Sequence, residues 1–418
     1  MSNTSLIKSF KELEGNPKIC VYTEPLWGIP FFLFTAYASL YMFELGVSAT
    51  QIGIILSVGT LVQVFSALFS GAITDKLGRR KTTFIFDFLC WSVPCLLWAF
   101  SQNFYWFLIA GIVNSTWRIT ANSWTCLLVE DAKKEKLVHI FSLIFIAGTI
   151  SAFFAPFAGV MVGKLGLILA VRILYMFGFV MMSIKFIILY VKGPETRQGL
   201  IRMKETENES IFSLLKGYGK VAKLMLKSKE TIICMLITAI IGISAMISTS
   251  YWPLLITSKF GVPKSTVAYF PMIKSSIMLI WYFFVVPKLQ VEKFKIPLAV
   301  GFFVFAISQL ILFIVPYEGY VLLIVSLVLE AFALATIKPL METLTVVTVH
   351  AGERARVMSI FWTAILAITA PFGIIAGGLS DINRLYPFIL SIGIIFIGFV
   401  LSFVLQTTSG EKQKQMTE

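Results

Sequence analysis

Apolar segments and short polar connections alternate along nearly the whole chain. Each apolar segment holds about 20 residues or more, a length that lets a helix cross a hydrocarbon layer ~30 Å thick. A helix also pairs its backbone N–H and C=O groups internally, which lipid requires. The pattern predicts twelve membrane-spanning helices, near residues 25–44, 50–74, 82–101, 104–128, 139–163, 167–191, 231–257, 266–287, 296–315, 320–346, 357–380 and 385–406.

The longest polar stretch, residues 192–230, follows the sixth predicted span. It predicts two six-helix bundles, residues 1–191 and 231–418, joined by a cytoplasmic linker, with a short cytoplasmic tail at the end of the chain. Within the linker, IFSLLKGYGKVAKLMLK alternates apolar and basic clusters. This alternation predicts an amphipathic helix that lies on the membrane against anionic lipid headgroups.

Composition excludes a soluble protein. Of the 418 residues, 57% are hydrophobic and 14% are charged, and the mean hydropathy is +0.86. A typical soluble domain has about 25% charged residues. The chain is therefore predicted to be an all-α, multi-pass integral protein of the cell membrane.

The formal net charge of +13 is explained by where the basic residues lie. Of the 35 Lys and Arg, 26 lie on alternate connections and on the two tails, whereas the opposite connections hold four. Cytoplasmic loops are enriched in Lys and Arg, so both termini and the linker are predicted to be cytoplasmic. No nucleic-acid partner is needed to account for the charge.

An internal repeat indicates that the two bundles are related. FAPFAGVMVGKLG in the fifth predicted span and TAPFGIIAGGLSD in the eleventh share Ala-Pro-Phe and small residues spaced four apart. Small residues let helices approach closely, and proline permits bending. The alternative is that both are simply common in membrane helices. The residues predicted to serve bending and packing are Pro156, Gly159, Gly163, Pro371, Gly373 and Gly377.

The connection between the second and third spans, GAITDKLGRRK, concentrates five charges in residues 75–81 between two apolar segments. Gly78 permits a turn with positive φ, and Asp75 can accept hydrogen bonds from Arg79 or from a helix N-terminus. The stretch resembles the signature loop of the major facilitator superfamily, G-x-x-x-D-(R/K)-x-G-R-(R/K). The matching positions are Gly71, Asp75, Lys76, Gly78, Arg79 and Arg80.

The resemblance implies a monomeric transporter with two pseudo-symmetric six-helix bundles and a cavity lined by the first, fourth, seventh and tenth helices. In this family the signature loop latches one conformational state, which implies that Asp75 lies near the start of the eleventh helix. Arg79 would then pair with an acid at the end of the fourth helix, either Glu130 or Asp131. The signature is closest to that of the drug–proton antiporter branch.

Several ionisable residues lie within predicted spans, where a charge costs at least ~2.5 kcal/mol and needs a partner or a task. Arg118, Lys274 and Glu330 are candidates for substrate binding or proton coupling. The alternative for each is a structural ion pair, which for Glu330 would involve Lys274 or Arg118. Asp87 is a further coupling candidate, although its position near the basic loop predicts that it serves that loop.

Arg172 and Lys185 lie closer to the ends of predicted spans. Long basic side chains in such positions can place their charge at the membrane surface. We therefore expect both to reach the interface rather than to pair inside the bundle.

The sequence contains none of the H-E-x-x-H, G-x-S-x-G, P-loop or G-x-G-x-x-G motifs, which argues against an enzyme and against an ATP motor. Its five cysteines form no C-x-x-C pair, and we expect no metal and no cofactor. The sequence favours a secondary transporter that moves a small organic solute by alternating access, coupled to protons or another ion, with membrane lipids around it.

Export of amphiphilic compounds is favoured on the resemblance. Two alternatives stay open: a proton-coupled importer of an organic anion, in which Arg118 and Lys274 make the cavity positive, and a sensor or scaffold that does not transport.

Overall fold

The computed structural model describes residues 12–132, 137–215, 218–285, 294–348 and 354–405. The secondary structure within these ranges is helical, and its order follows the hydrophobic pattern. Helices up to the linker are α1 (Gly15–Thr35), α2 (Ala38–Glu44), α3 (Ala49–Leu77), α4 (Arg79–Asp87), α5 (Val93–Phe100), α6 (Phe104–Asn114), α7 (Trp117–Val129), α8 (Leu137–Ala152), α9 (Ala155–Leu165) and α10 (Leu167–Lys192).

The linker and the second half contain the remaining helices. They are α11 (Arg197–Glu205), α12 (Tyr218–Lys227), α13 (Lys229–Ser258), α14 (Tyr269–Phe284), α15 (Lys295–Ile311), α16 (Tyr320–Thr348), α17 (Arg354–Thr369), α18 (Pro371–Ile382) and α19 (Tyr386–Val404). Short 3₁₀ turns occupy Ser213–Leu215 and Lys264–Thr266.

Within the described residues, nine helical segments are long and apolar enough to cross a membrane. The pair α1 and α2, bent by 44° at its break, makes ten if it is counted as one span. The fourth predicted span is two helices, α6 and α7, separated at residues 115–116, and α15 in the ninth is shorter than the other spans. The all-helical membrane fold is as predicted, and the count of twelve spans stays a prediction.

Two compact units divide the chain. Unit 1 comprises Met1–Val47, Val58–Lys216 and Lys264–Met272, and unit 2 comprises Ser48–Ser57, Gly217–Pro263 and Ile273–Glu418. The linker is thus shared, since α11 belongs to unit 1 and α12 to unit 2. In unit 2, α12 packs against α13 and α17.

In unit 1, α10 packs along α1, and α4 packs against α7. A π-helical turn, Phe88–Ser92, interrupts the third predicted span directly after Asp87. The wider turn alters the regular hydrogen bonding, and the Cys90 carbonyl accepts a hydrogen bond of 2.7 Å from the Asn114 side chain. Single π turns of this kind often mark functional sites.

The repeat glycines lie where backbones approach closely. In unit 2, a Cβ on Gly377 would meet the Ala49 carbonyl, and Gly373 lies against Gly53. In unit 1, a Cβ on Gly159 would meet the Ser265 carbonyl. Gly163 has more room, while Pro156 and Pro371 open α9 and α18 at their N-terminal turns. Proline fits a first helical turn because the missing N–H would be unpaired there anyway.

Candidate functional site

The signature loop forms a compact charge cluster in unit 1. Gly78 has φ 84°, and this residue ends α3 and starts α4. The Arg79 side chain, whose residue is only 5% exposed, donates to Asp75 Oδ1 at 3.1 Å and to Glu130 Oε1 at 3.0 Å. Of the two acids that the sequence offered for Arg79, Glu130 makes the contact. Asp131 instead accepts the backbone N–H of Arg197.

Linker residues that the sequence analysis did not single out complete this cluster. The Glu195 carboxylate accepts the backbone N–H groups of Arg79 and Arg80, each at 3.0 Å, and so caps the N-terminus of α4. Arg202 on α11 donates to Asp75 Oδ2 at 2.8 Å. The hydrogen bond from Arg202 to the Asp75 carboxylate raises the pKa of Arg202 above its ordinary value.

The other signature residues also contact neighbouring segments. Lys76 donates to the Glu209 carbonyl, and Arg80 donates to the Tyr190 carbonyl at 2.7 Å while lying over the Tyr190 ring. Gly71 lies half-buried within α3. The expected position of Asp75 near the eleventh helix stays a prediction.

A cavity of about 350 Å³ lies in unit 1 among α1, the π turn, α7 and α10. Its walls are mainly aromatic. The aromatic lining residues are Trp27, Phe31, Trp91, Trp117, Trp124 and Phe186. The other lining residues are Glu24, Asp87, Thr120, Ala121 and Lys185. Such a mixture of apolar surface with a few polar groups is typical of ligand sites.

Asp87 lines this cavity. It is buried at the end of α4, and its Oδ1 accepts a hydrogen bond of 2.8 Å from the Thr120 hydroxyl. The prediction that Asp87 serves the basic loop was therefore wrong. It was wrong because Asp87 lies at the far end of α4, a little over two helical turns from Arg79. Its side chain contacts Thr120 of α7 there.

Lys185 also faces the cavity rather than the interface. Its Nζ donates to Glu24 Oε2 at 2.8 Å and lies 5.7 Å from the ring centroids of both Trp27 and Trp124. The expectation of a surface-reaching side chain was wrong, since Lys185 is 4% exposed. Glu24 was not among the predicted site residues, because it precedes the predicted first span. In the structure α1 begins earlier, at Gly15, and includes it.

The two arginines of the membrane region have different surroundings. Arg118 Nε contacts Gln63 Oε1 at 3.3 Å, and its guanidinium lies 4.2 Å from the Trp117 ring centroid. Arg172 donates to the Tyr41 hydroxyl and to the Ser101 carbonyl. Ser101 directly follows the C-terminal end of α5, so the expectation that Arg172 reaches the interface stays a prediction.

In unit 2, Lys274 on α14 pairs with Glu330 on α16, with 2.7 Å between Nζ and Oε1. Glu330 is 3% exposed. Of the two bases considered for Glu330, Lys274 is thus the partner. Also in unit 2, the Thr336 hydroxyl of α16 accepts a hydrogen bond from Trp281 of α14. No group of three or more His, Cys, Asp or Glu suited to a metal occurs in the described part of the chain.

Residues 27–365 match the sequence family described as the Major Facilitator Superfamily. The chain belongs to the Major Facilitator Superfamily. Membership of this superfamily indicates a multi-pass membrane transporter rather than an enzyme. The drug–proton antiporter branch stays a prediction.

Solved structures of three transporters share this fold. The nucleoside transporter NupG is 17% identical, with a TM-score of 0.72, and the match covers 94% of this chain and 98% of NupG. A peptide transporter, POT, is 14% identical with a TM-score of 0.67, covering 97% and 98%. The human organic anion transporter MFSD10 is 14% identical with a TM-score of 0.64, covering 93% and 100%. At these identities the likeness concerns the fold alone.

Proposed function

We propose that this superfamily member is a proton-coupled secondary transporter that exports a small amphiphilic solute by alternating access. The observation that carries the proposal is the cavity of unit 1, in which aromatic walls surround a buried ion pair and a second buried carboxylate. A non-transporting sensor would also bind its ligand in such a cavity, so solute flux across the membrane is the measurement that decides between the two. The signature loop, with its compact charge cluster, supports the same interpretation.

The cavity suits a small solute that carries a ring. Its volume of about 350 Å³ is near the lower end of the range for small-molecule sites, about 300–1,000 Å³. Aromatic side chains stack on planar groups and attract cations to their faces. The carboxylates of Glu24 and Asp87 supply acceptors for the polar end of the solute.

Asp87 is the group that we assign to proton exchange. Its neighbours are Lys185 from α10, Glu24 from α1, Thr120 from α7 and the thiols of Cys20 and Cys90. Glu24 already has an ion-pair partner at 2.8 Å, whereas the hydrogen bond to Asp87 comes from a hydroxyl. A carboxylate without a tightly bound cation can accept a proton without breaking an ion pair.

An importer of organic anions has less support. That hypothesis needs the positive charges of Arg118 and Lys274, but Glu330 neutralises Lys274 at 2.7 Å. Arg118 does not line the cavity of unit 1. The pair Lys274–Glu330 is assigned a structural role in this proposal.

The test uses purified protein in proteoliposomes and three indoles of similar size. They are the permanently cationic N,N,N-trimethyltryptammonium, neutral indole-3-ethanol and anionic indole-3-acetate, with protein-free liposomes as the baseline. An antiporter accumulates its solute when the lumen is acidic, because protons leave as solute enters. A proton-coupled importer responds to an acidic exterior instead, and that outcome would overturn the proposed direction.

Asp87→Asn is the decisive variant. It keeps the size and the hydrogen bond of the side chain but cannot exchange a proton. We expect downhill flux at high solute concentration to persist while pH-driven accumulation disappears. Glu207→Gln, on an exposed linker residue, is the matched control and should accumulate solute normally. Full accumulation by Asp87→Asn would remove Asp87 from the coupling mechanism.

A further inference from the structure

The Lys185 ammonium occupies the position that an organic cation would take in the unit 1 cavity. Its Nζ lies between the Trp27 and Trp124 rings, 5.7 Å from each centroid, and 2.8 Å from a Glu24 carboxylate oxygen. Aromatic faces together with an anion form a recognised binding arrangement for ammonium groups. In this protein the group that fills it is tethered to α10.

We propose that the transported solute is a monovalent organic cation with a ring, and that Lys185 acts as an internal competitor for its site. This inference rests on the proposed function and names the substrate class of the same cavity. The incoming ammonium displaces Lys185 from Glu24 and from the two tryptophan faces, while its ring packs on the remaining aromatic wall around Phe31 and Trp91. The stacked Trp27–Phe31 pair, with centroids 4.7 Å apart, extends the apolar surface next to the charged end.

The charges within the cavity favour a cation over an anion. With Glu24, Asp87 and Lys185 ionised, two negative charges face one positive charge. One added monovalent cation neutralises the excess, and so does one proton on Asp87. A bound anion would instead deepen the imbalance in a buried site, where an unpaired charge is costly. Cation and proton therefore replace each other, which suits exchange in opposite directions.

Lys185 stabilises the protein when no solute is bound. If no cation lay between Trp27, Trp124 and Glu24, then Glu24 would be a buried carboxylate without a counterion. Breaking such a buried pair is strongly destabilising. Lys185 occupies this site whenever no solute is bound and leaves it when a cationic solute takes its place. The apparent association constant of the solute is then the intrinsic constant multiplied by the fraction of time that Lys185 is away from the site.

The experiment measures equilibrium binding of N,N,N-trimethyltryptammonium, indole-3-ethanol and indole-3-acetate to detergent-solubilised full-length protein at pH 8. In the wild type we expect the cation to bind more tightly than either of the other two. In Lys185→Gln we expect the affinity for the cation to rise by about tenfold or more, because the competitor is gone. The affinity for indole-3-ethanol should change far less.

A purely structural Lys185 predicts the opposite result for binding, since loss of the ion pair would weaken it. The melting temperature of the unloaded protein falls in both cases, because Glu24 loses its counterion. Lys192→Gln, at the exposed end of the same helix, is the matched control and should bind like the wild type. If Lys185→Gln does not fold, Glu24→Gln/Lys185→Gln leaves no unpaired charge in that pair. It should show a smaller preference for the cation than the wild type, because Glu24 no longer contacts the ammonium while Asp87 stays, and an undiminished preference would overturn the proposal.

Different outcomes would overturn the assignment of the substrate class and the proposed transport function. Preferred binding of indole-3-ethanol or indole-3-acetate, or no binding of the cation to any variant, would overturn the cation assignment. Accumulation of any of the three solutes driven by a pH gradient would still support a proton-coupled transporter. Tight cation binding without pH-driven flux would overturn the proposed function and leave the cation site in place.

Discussion

At the residue scale, Glu330 and Asp87 are both buried carboxylates, but their partners differ. Glu330 contacts the Lys274 ammonium at 2.7 Å, whereas Asp87 accepts a hydrogen bond from the Thr120 hydroxyl. A proton on Glu330 would leave Lys274 without its counterion. A proton on Asp87 breaks no ion pair at hydrogen-bonding distance.

Glu330→Gln is therefore expected to lower stability rather than to abolish coupling. Loss of one partner of a buried pair costs about 3–5 kcal/mol, and the partial exposure of the Lys274 side chain, 26%, favours the lower end of that range. Melting in detergent should fall for Glu330→Gln and recover in Lys274→Gln/Glu330→Gln. A stable Glu330→Gln protein that has lost pH-driven accumulation would contradict the structural assignment.

Some residue contacts could be predicted from the sequence and others could not. The Arg79–Glu130 pair was foreseeable, because a recurring motif fixes both the residue types and their places at helix ends. Lys185 was not, because hydropathy gives the distance of a residue from the end of a span but not which way it faces. Glu24 was missed for a related reason, since the charged residues before it hid the true start of α1.

At the scale of elements, the linker does more than connect two bundles. Glu195 caps α4, and Arg202 on α11 shares Asp75 with Arg79. The sequence predicted an amphipathic surface helix in the second half of the linker, at residues 211–227. It assigned no role to the first half, where α11 contacts the signature loop. Hydropathy could not reveal this docking, because it depends on single charged side chains matching across two loops.

Glu195→Gln/Arg202→Gln should loosen this docking while the bundle stays folded. Backbone N–H groups at the start of α4 would lose a charged acceptor, and a lost cap costs about 0.5–2 kcal/mol. We expect faster hydrogen exchange at residues 79–83, measured by mass spectrometry. Arg197→Gln, which alters an exposed side chain on the same helix, is the control. Unchanged exchange in the double variant would show that α11 does not stabilise the loop.

The contact between Arg202 and Asp75 should also persist at high pH. The pKa of Arg202 is raised in the folded protein. The stabilisation is therefore fully present at any pH below the ordinary pKa of arginine, and it is lost only as the pH rises past the raised pKa. Between pH 7 and pH 10 the arginine stays charged. The exchange protection that α11 gives to α4 should therefore not change over this range once the intrinsic pH dependence of exchange is corrected.

Among the other elements, the positions of the helices follow from apolar length, but their interruptions do not. The π turn at Phe88–Ser92 sets Asp87 and Trp91 on the wall of one cavity. It arises from one wider turn, stabilised by the Asn114 side chain on the Cys90 carbonyl, in a segment whose hydropathy is uniform. Nothing in the periodicity of that segment distinguishes it from a regular helix.

At the scale of the whole molecule, the placement of basic residues predicts which side of the membrane each connection faces. In a variant without its five cysteines, single cysteines at Glu207 and Tyr317 test this topology. Both positions are exposed. Glu207→Cys should react with an impermeant maleimide only after the cell is opened, and Tyr317→Cys should react in intact cells. The reverse pattern would contradict cytoplasmic placement of both termini and of the linker.

The central claim is that a cationic solute and a proton replace each other in the unit 1 cavity. The most direct measurement is proton release when N,N,N-trimethyltryptammonium binds to the detergent-solubilised protein, followed with a pH indicator in weakly buffered solution at pH 6–8. Binding that favours the deprotonated state must release protons. We expect release of up to about one proton per bound cation in the wild type, and none in Asp87→Asn, measured at a cation concentration high enough to saturate its weaker site. Saturating binding to the wild type without proton release at any pH in this range, or equal release by Asp87→Asn, would contradict the claim.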